Sequence, residues 1–84
     1  MSTTLGRLVR EAREAAGLTV AQLADMAGID RPMIYRIEDE EVVGGADTQE
    51  RLADALGIDP AEVLRAAAAT TRARRAHRAE PEAA

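Results

Sequence analysis

The chain has no cysteine, tryptophan or phenylalanine, and Tyr35 is its only aromatic residue. Without cysteine there is no disulfide framework and no thiolate zinc site. The one histidine, His77, has no companion ligands around it and reads as an exposed side chain. Lysine is missing too: all 11 basic residues are arginine, which beside so much alanine reflects GC-rich coding rather than chemistry. No apolar run approaches the ~18 residues of a membrane span, and Met1-Ser2-Thr3-Thr4 lacks the basic-then-apolar layout of a secretory leader. The expectation is a cytoplasmic protein with no membrane partner. No Ser-His-Asp or Cys-His arrangement and no phosphate-cradling glycine pattern is present, and the carboxylates fall at helix caps and faces. This predicts neither an enzyme nor a cofactor or metal site.

What is there suits one small domain. The 84 residues, 46% of them hydrophobic, can bury one modest core of Leu, Ile, Val, Met and Ala. Charge is unevenly spread. Residues 1–64 carry 6 arginines against 13 acids, a balance of −7, whereas residues 65–84 carry 5 against 2, a balance of +3. The reading is a folded body over 1–64 and an Ala/Arg-rich helical arm with a disordered tail over 65–84. An acidic body is an unusual footprint for a nucleic-acid binder, which normally carries excess positive charge.

Apolar residues recur at three and four rather than two, so the predicted class is all-α with five helices. Leu5, Leu8, Val9, Ala12 and Ala16 form a first stripe, closed by Gly17 as a left-handed exit. Thr19 and Gln22 make a capping box for a short second helix ending at Gly28. Asp30 is placed to cap a third, running to about Asp39, with Pro32 tolerated in its first turn and Ile34 and Ile37 facing inward. Asp47 with Glu50 offers a capping box for a fourth, which stops at Gly57. Asp59-Pro60-Ala61-Glu62 is the strongest helix start in the chain and carries Val63 and Leu64 into the core. Beyond Leu64 alanine propensity can extend this helix through Ala66 to Ala69 as a basic C-terminal helix or tail, but no large apolar group holds it down, so the arm is expected to project and to fray toward Glu80-Pro81-Glu82.

Leu23, Ala24, Gly28, Ile29, Ile34 and Ile37 supply, in order, the small crossing residue, the turn glycine and the branched anchors of a tight helix-turn-helix. With the five-helix layout around it, "LGRLVREAREAAGLTVAQLADMAGIDRPMIYRIE" followed by "LADALGIDPAEVL" resembles the Xre-type helix-turn-helix family of phage Cro and repressor-like proteins. The resemblance implies a five-helix, lambda-repressor-like regulator in bacteria or phage that binds two-fold double-stranded DNA operators as a homodimer, with helix three in the major groove. By position it implies base reading by Arg31, Pro32, Tyr35 and Arg36, with Met33 at the margin. Arg36 is the foremost candidate, since a guanidinium bonds guanine O6 and N7 together. Thr19 is placed to hold a phosphate. On the arm, which the resemblance does not cover, Arg72, Arg74, Arg75 and Arg78 with Arg65 either contact phosphates and offset the acidity of the body or fold back on the acidic body, its own or a second copy's.

The resemblance also implies that Glu38, at the end of helix three, pairs with Arg13 of helix one. Other positions depart from the family. Val20 stands where a phosphate-binding glutamine is common, and Gln49 where a core leucine is usual. Asp39, Glu40 and Glu41 occupy a stretch that tends to hold a glycine and then basic or polar residues. Three carboxylates there would repel phosphate. They leave open a solvated acidic turn, or a second class of function: a protein-interaction module of antitoxin or anti-repressor type, with the three acids facing a basic protein partner.

Overall fold

The computed structural model describes residues 3–79, with backbone alone at 78 and 79. It contains α1 (Leu5–Ala15), α2 (Val20–Ala27), α3 (Arg31–Glu38), α4 (Ala46–Leu56) and α5 (Pro60–Ala79), and no strand among the described residues. The all-α, five-helix architecture is therefore as the periodicity required. Leu5, Val9, Leu23, Ile34, Ile37, Leu52 and Val63 meet in one aliphatic core, and each is at most 1% exposed. Around it α1 packs on α3, α4 and α5, while α2 packs on α3 and α4.

Local chemistry explains most boundaries. Thr19 Oγ1 accepts from the Gln22 amide at 3.1 Å and Gln22 Oε1 accepts from the Thr19 amide at 2.9 Å, a complete capping box. Asp59 Oδ1 accepts from the Ala61 amide at 2.9 Å ahead of Pro60, the first residue of α5. Gly17, Gly28 and Gly57 take left-handed φ values of 71°, 67° and 66° where α1, α2 and α4 end, so that the following amide can turn back onto the helix. Thus Leu18 donates to Arg13 O at 3.0 Å, Ile29 to Ala24 O at 3.1 Å and Ile58 to Ala53 O at 2.9 Å.

Four local expectations are corrected. Asp30 stands at the N-cap of α3, but its side chain makes no cap bond. Helix α4 starts one residue before Asp47, with extended Gly45 as its N-cap, so there is no Asp47–Glu50 box. Asp47 instead sits within the first turn, where a carboxylate suits the helix dipole, and Arg51 Nε reaches its Oδ2 at 2.8 Å one turn on. Ala16 falls just past α1 and is exposed. Leu64 is 65% exposed rather than in the core, because a helix step of ~100° from buried Val63 carries it outward.

The arm is helical as expected, but it is anchored further along than expected. Helix α5 continues without a break to Ala79, and Ala66, Ala67, Ala69 and Thr70 are buried. Residue 64 therefore lies in the second turn of α5, and burial extends beyond it as far as Thr70. Alanine anchors the helix by closeness rather than bulk: with only a Cβ to accommodate, α5 approaches α1 until Thr70 Oγ1 accepts from the Leu5 amide at 2.8 Å. The same hydroxyl donates to Ala66 O at 3.0 Å, so the buried threonine is satisfied twice.

Candidate nucleic-acid interface

Helix α3 divides its residues cleanly. Ile34 and Ile37 are wholly buried, Met33 is half-buried, and Arg31, Pro32, Tyr35 and Arg36 are exposed along one face. The turn that presents this face consists of Gly28, Ile29 and Asp30. Leu23 and Ala24 are buried beneath it, with Ile29 half-buried, so the six residues of the sequence motif surround one crossing of α2 and α3. A Cβ on Gly28 would need both a left-handed backbone and space now held by Arg51 Nη1, 2.7 Å away.

The far end of α3 is tied to α1. Arg13 grips Glu38 through two hydrogen bonds, Nε to Oε2 at 2.7 Å and Nη2 to Oε1 at 2.9 Å, the paired geometry that suits a guanidinium and a carboxylate. Both side chains are largely buried, at 14% and 5% exposure. The hydrogen bond that Arg13 donates to Glu38 raises the Arg13 pKa above its already high ordinary value, while desolvation acts in the opposite direction. Arg13 Nη1 also donates to Leu18 O at 2.9 Å, and Arg10 adds weaker contacts at 3.4 Å to Glu38 Oε1 and to the Glu38 carbonyl. Glu38 is thus held inside the domain.

The next three acids do not form a uniform face. Asp39 Oδ1 lies 3.8 Å from Arg10 Nη2 with both side chains half exposed or more, a pair worth at most about 1 kcal/mol. Glu40 has φ 65°, a left-handed conformation that costs an L-residue roughly 1–2 kcal/mol. Around it the Glu40 amide donates to Ile37 O at 3.0 Å and the Glu41 amide to Arg36 O at 2.9 Å. These are the two bonds of a Schellman ending, with glutamate in the place glycine normally takes. Its Oε1 accepts from the Gly6 amide of α1 at 3.2 Å. Glu41 alone of the three makes no ion pair or side-chain hydrogen bond among the described residues. All three acids are exposed: Glu40 accepts an α1 amide, Asp39 lies near an arginine and Glu41 is unengaged among the described residues.

Gln49, which replaces a leucine of the family pattern, keeps its place by polar means. Its Nε2 donates to Val43 O at 3.3 Å and Gly44 O at 3.2 Å, stitching α4 to the loop before it. Thr19 accepts at its hydroxyl within the capping box and retains the O–H proton for an outside acceptor. Val20, by contrast, is buried. On the arm, Arg72, Arg74 and Arg75 are exposed, and so is His77; the side chain of Arg78 lies outside the described residues. Helix α5 packs chiefly on α1 and α4, and its Arg74 and His77 line one cavity with Thr4, Glu40 and Thr70, just past the end of α3.

Sequence reasoning missed Gly6, Arg10 and Thr70. A glycine inside a helical pattern is the available signal for the first, because such a residue usually marks close packing. Nothing local marks the other two.

A helix-turn-helix domain family model matches residues 4–67, which runs past Leu64 to the buried Ala66 and Ala67 of α5. A relative in Methanocaldococcus jannaschii, a proposed HTH-type transcriptional regulatory protein, is 32% identical over 53 residues, covering 63% of this chain and 17% of the relative. The chain therefore corresponds to about a sixth of that protein's length. On the family match over most of its length, with its five helices and its turn at Gly28, the chain belongs to the helix-turn-helix domain family, in the Xre-like group.

Proposed function

We propose that this protein is a sequence-specific DNA-binding transcriptional regulator that places α3 in the major groove, using Arg36 and Arg31 as its reading residues beside Tyr35 and Pro32. One observation carries the reading. Of the six arginines in residues 1–64, Arg7, Arg10, Arg13 and Arg51 each face a carboxylate within 4 Å, whereas Arg31 and Arg36 face none among the described residues. In a body with a balance of −7, two uncompensated guanidiniums on one exposed helix face are a local concentration of positive charge. Family membership supports the same reading, as this fold class commonly presents its second motif helix to DNA.

Phosphate contact then comes from Thr19 at the start of α2 and, at a distance, from Arg72, Arg74 and Arg75. The arm supplies attraction without sequence information, each neutralised phosphate contributing ~0.9 to the slope of log affinity against log salt. A two-fold operator would take two copies of the chain, with half-sites about one helical turn apart.

Selection of bound duplexes from a random DNA pool tests this directly. The expected result is a palindromic consensus whose preference at one base pair is relaxed by Arg36→Ala, at a loss of ~1–3 kcal/mol. An Arg36→Ala protein that binds the selected site as the parent does would refute the assigned contact. Failure to select any sequence, combined with capture of a basic protein through Glu41, would favour an interaction module.

A further inference from the structure

Helix α3 ends on a residue its backbone does not favour. Among the described residues Glu40 is the sole non-glycine with positive φ, at 65°, whereas α1, α2 and α4 place Gly17, Gly28 and Gly57 at the matching points. Glycine would relieve the backbone there, so any advantage of glutamate must lie in its carboxylate. Its Oε1 accepts from the Gly6 amide at 3.2 Å, and the neighbouring Leu5 amide donates to Thr70 Oγ1 at 2.8 Å. Thr4, at the N-cap, contributes no side-chain bond. The first turn of α1 therefore depends on distant groups for its caps, and one of these is an anion placed at the positive end of the helix. Gly6 is also where the two backbones meet. A Cβ there would stand 2.5 Å from Ile37 O, 2.7 Å from Glu40 Oε1 and 2.8 Å from Glu38 O.

We propose that Glu40 and Gly6 form a clasp that sets the pose of α3 against α1, which makes Glu40 a positioning residue for the reading helix rather than a repulsive charge beside it. The inference rests on the DNA-reading proposal for its functional consequence, but not for the clasp itself. Arg13 holds Glu38 at the third turn of α1, and Gly6 holds Glu40 at the first. Buried Ile34 and Ile37 hold α3 against the core, and two polar attachments at its C-terminal end, spaced along α1, restrict the rotation that remains. That rotation decides whether Tyr35 and Arg36 face outward together, and a base-edge contact tolerates little angular error.

Three variants separate the carboxylate from the backbone and from simple charge. Glu40→Gly removes the acceptor while relieving the left-handed strain, Glu40→Gln keeps an oxygen acceptor without the charge, and Glu41→Gln removes a neighbouring charge that has no bond among the described residues. Each is compared with the parent at a temperature where all are fully folded, by amide hydrogen exchange and by affinity for the selected operator. In Glu40→Gly the Gly6 amide should exchange at least ~10-fold faster. Operator binding should weaken by roughly 10-fold, as the fraction of molecules with α3 correctly posed falls. Glu40→Gln should lie between this and the parent, and Glu41→Gln should bind slightly tighter. Should Glu40→Gly fail to fold, Glu40→Gln carries the comparison. Binding that tightens or stays level in Glu40→Gly would overturn the positioning role and return the acid to plain repulsion. If the parent selects no operator, the DNA reading fails by itself, and Gly6 exchange still decides: unchanged exchange in Glu40→Gly refutes the clasp, and faster exchange supports it.

Discussion

Helices α1 and α2 both begin with amides that have no intrahelical acceptor, and they satisfy them at opposite ranges. Helix α2 uses Thr19 and Gln22, three residues apart. Helix α1 uses Thr70 and Glu40, which are 65 and 34 residues away from their partners. A local cap stabilises one helix and leaves the others as they are. A distant cap is also a tertiary joint, and the start of α1 is where α3, the following loop and α5 converge. Disturbance at α2 should therefore remain local, while disturbance at α1 should be transmitted.

The sharpest way to break this contrast is at the other end of the α1–α3 joint. Arg13→Met removes the principal partner of buried Glu38 and should destabilise the domain by ~3–5 kcal/mol, with Arg10 left as a poorly placed substitute. At about 4–8 °C per kcal/mol for a domain of this size, a thermal melt would resolve it easily, and a midpoint within a few degrees of the parent would contradict the pairing. Gly6→Ala comes next and tests the sign of an effect. Helix propensity alone favours alanine by roughly 1 kcal/mol, but overpacking against the carbonyls of α3 should reverse this to a net loss of ~1–3 kcal/mol. A stabilised Gly6→Ala protein would mean that α1 and α3 are not in close contact.

Thr70→Val preserves shape and leaves the buried Leu5 amide unpaired, for an expected loss of ~1–3 kcal/mol by denaturant titration. It should also couple to Glu40→Gly in a double-mutant cycle, since both bear on one turn of α1. The smallest effect belongs to α2. Thr19→Ala should cost ~1 kcal/mol and should add to Thr70→Val without coupling. Measurable coupling between those two would erase the distinction between local and distant caps.

The same distinction governs what was legible in the sequence. The glycine exits, the Thr19–Gln22 box and the Asp59-Pro60 start depend on groups within a few residues of each other, and each appears in the structure where pattern reading puts it. The partition of α3 into buried Ile34 and Ile37 and exposed Arg31, Pro32, Tyr35 and Arg36 follows from helical period alone. Gly45 capping α4 was hidden because Asp47 and Glu50 mimic a box two residues later. Leu64 misled because a large apolar side chain attracts assignment to the core, whereas α5 is anchored by alanines whose small size carries little hydrophobic signal. Of the acids after α3, the sequence shows only their sign.

The sequence by itself determined the five helices, most of their ends and the face that α3 shows to solvent, because these depend on 3.6-residue periodicity and on chemistry within one turn. Tertiary structure alone decided that Glu40 bonds to Gly6 while Glu41 bonds to nothing described, and that α5 is held as far as Thr70. Two adjacent glutamates have identical local preferences. What distinguishes them is which lies beside the open amides of another helix, and only packing brings those amides into reach.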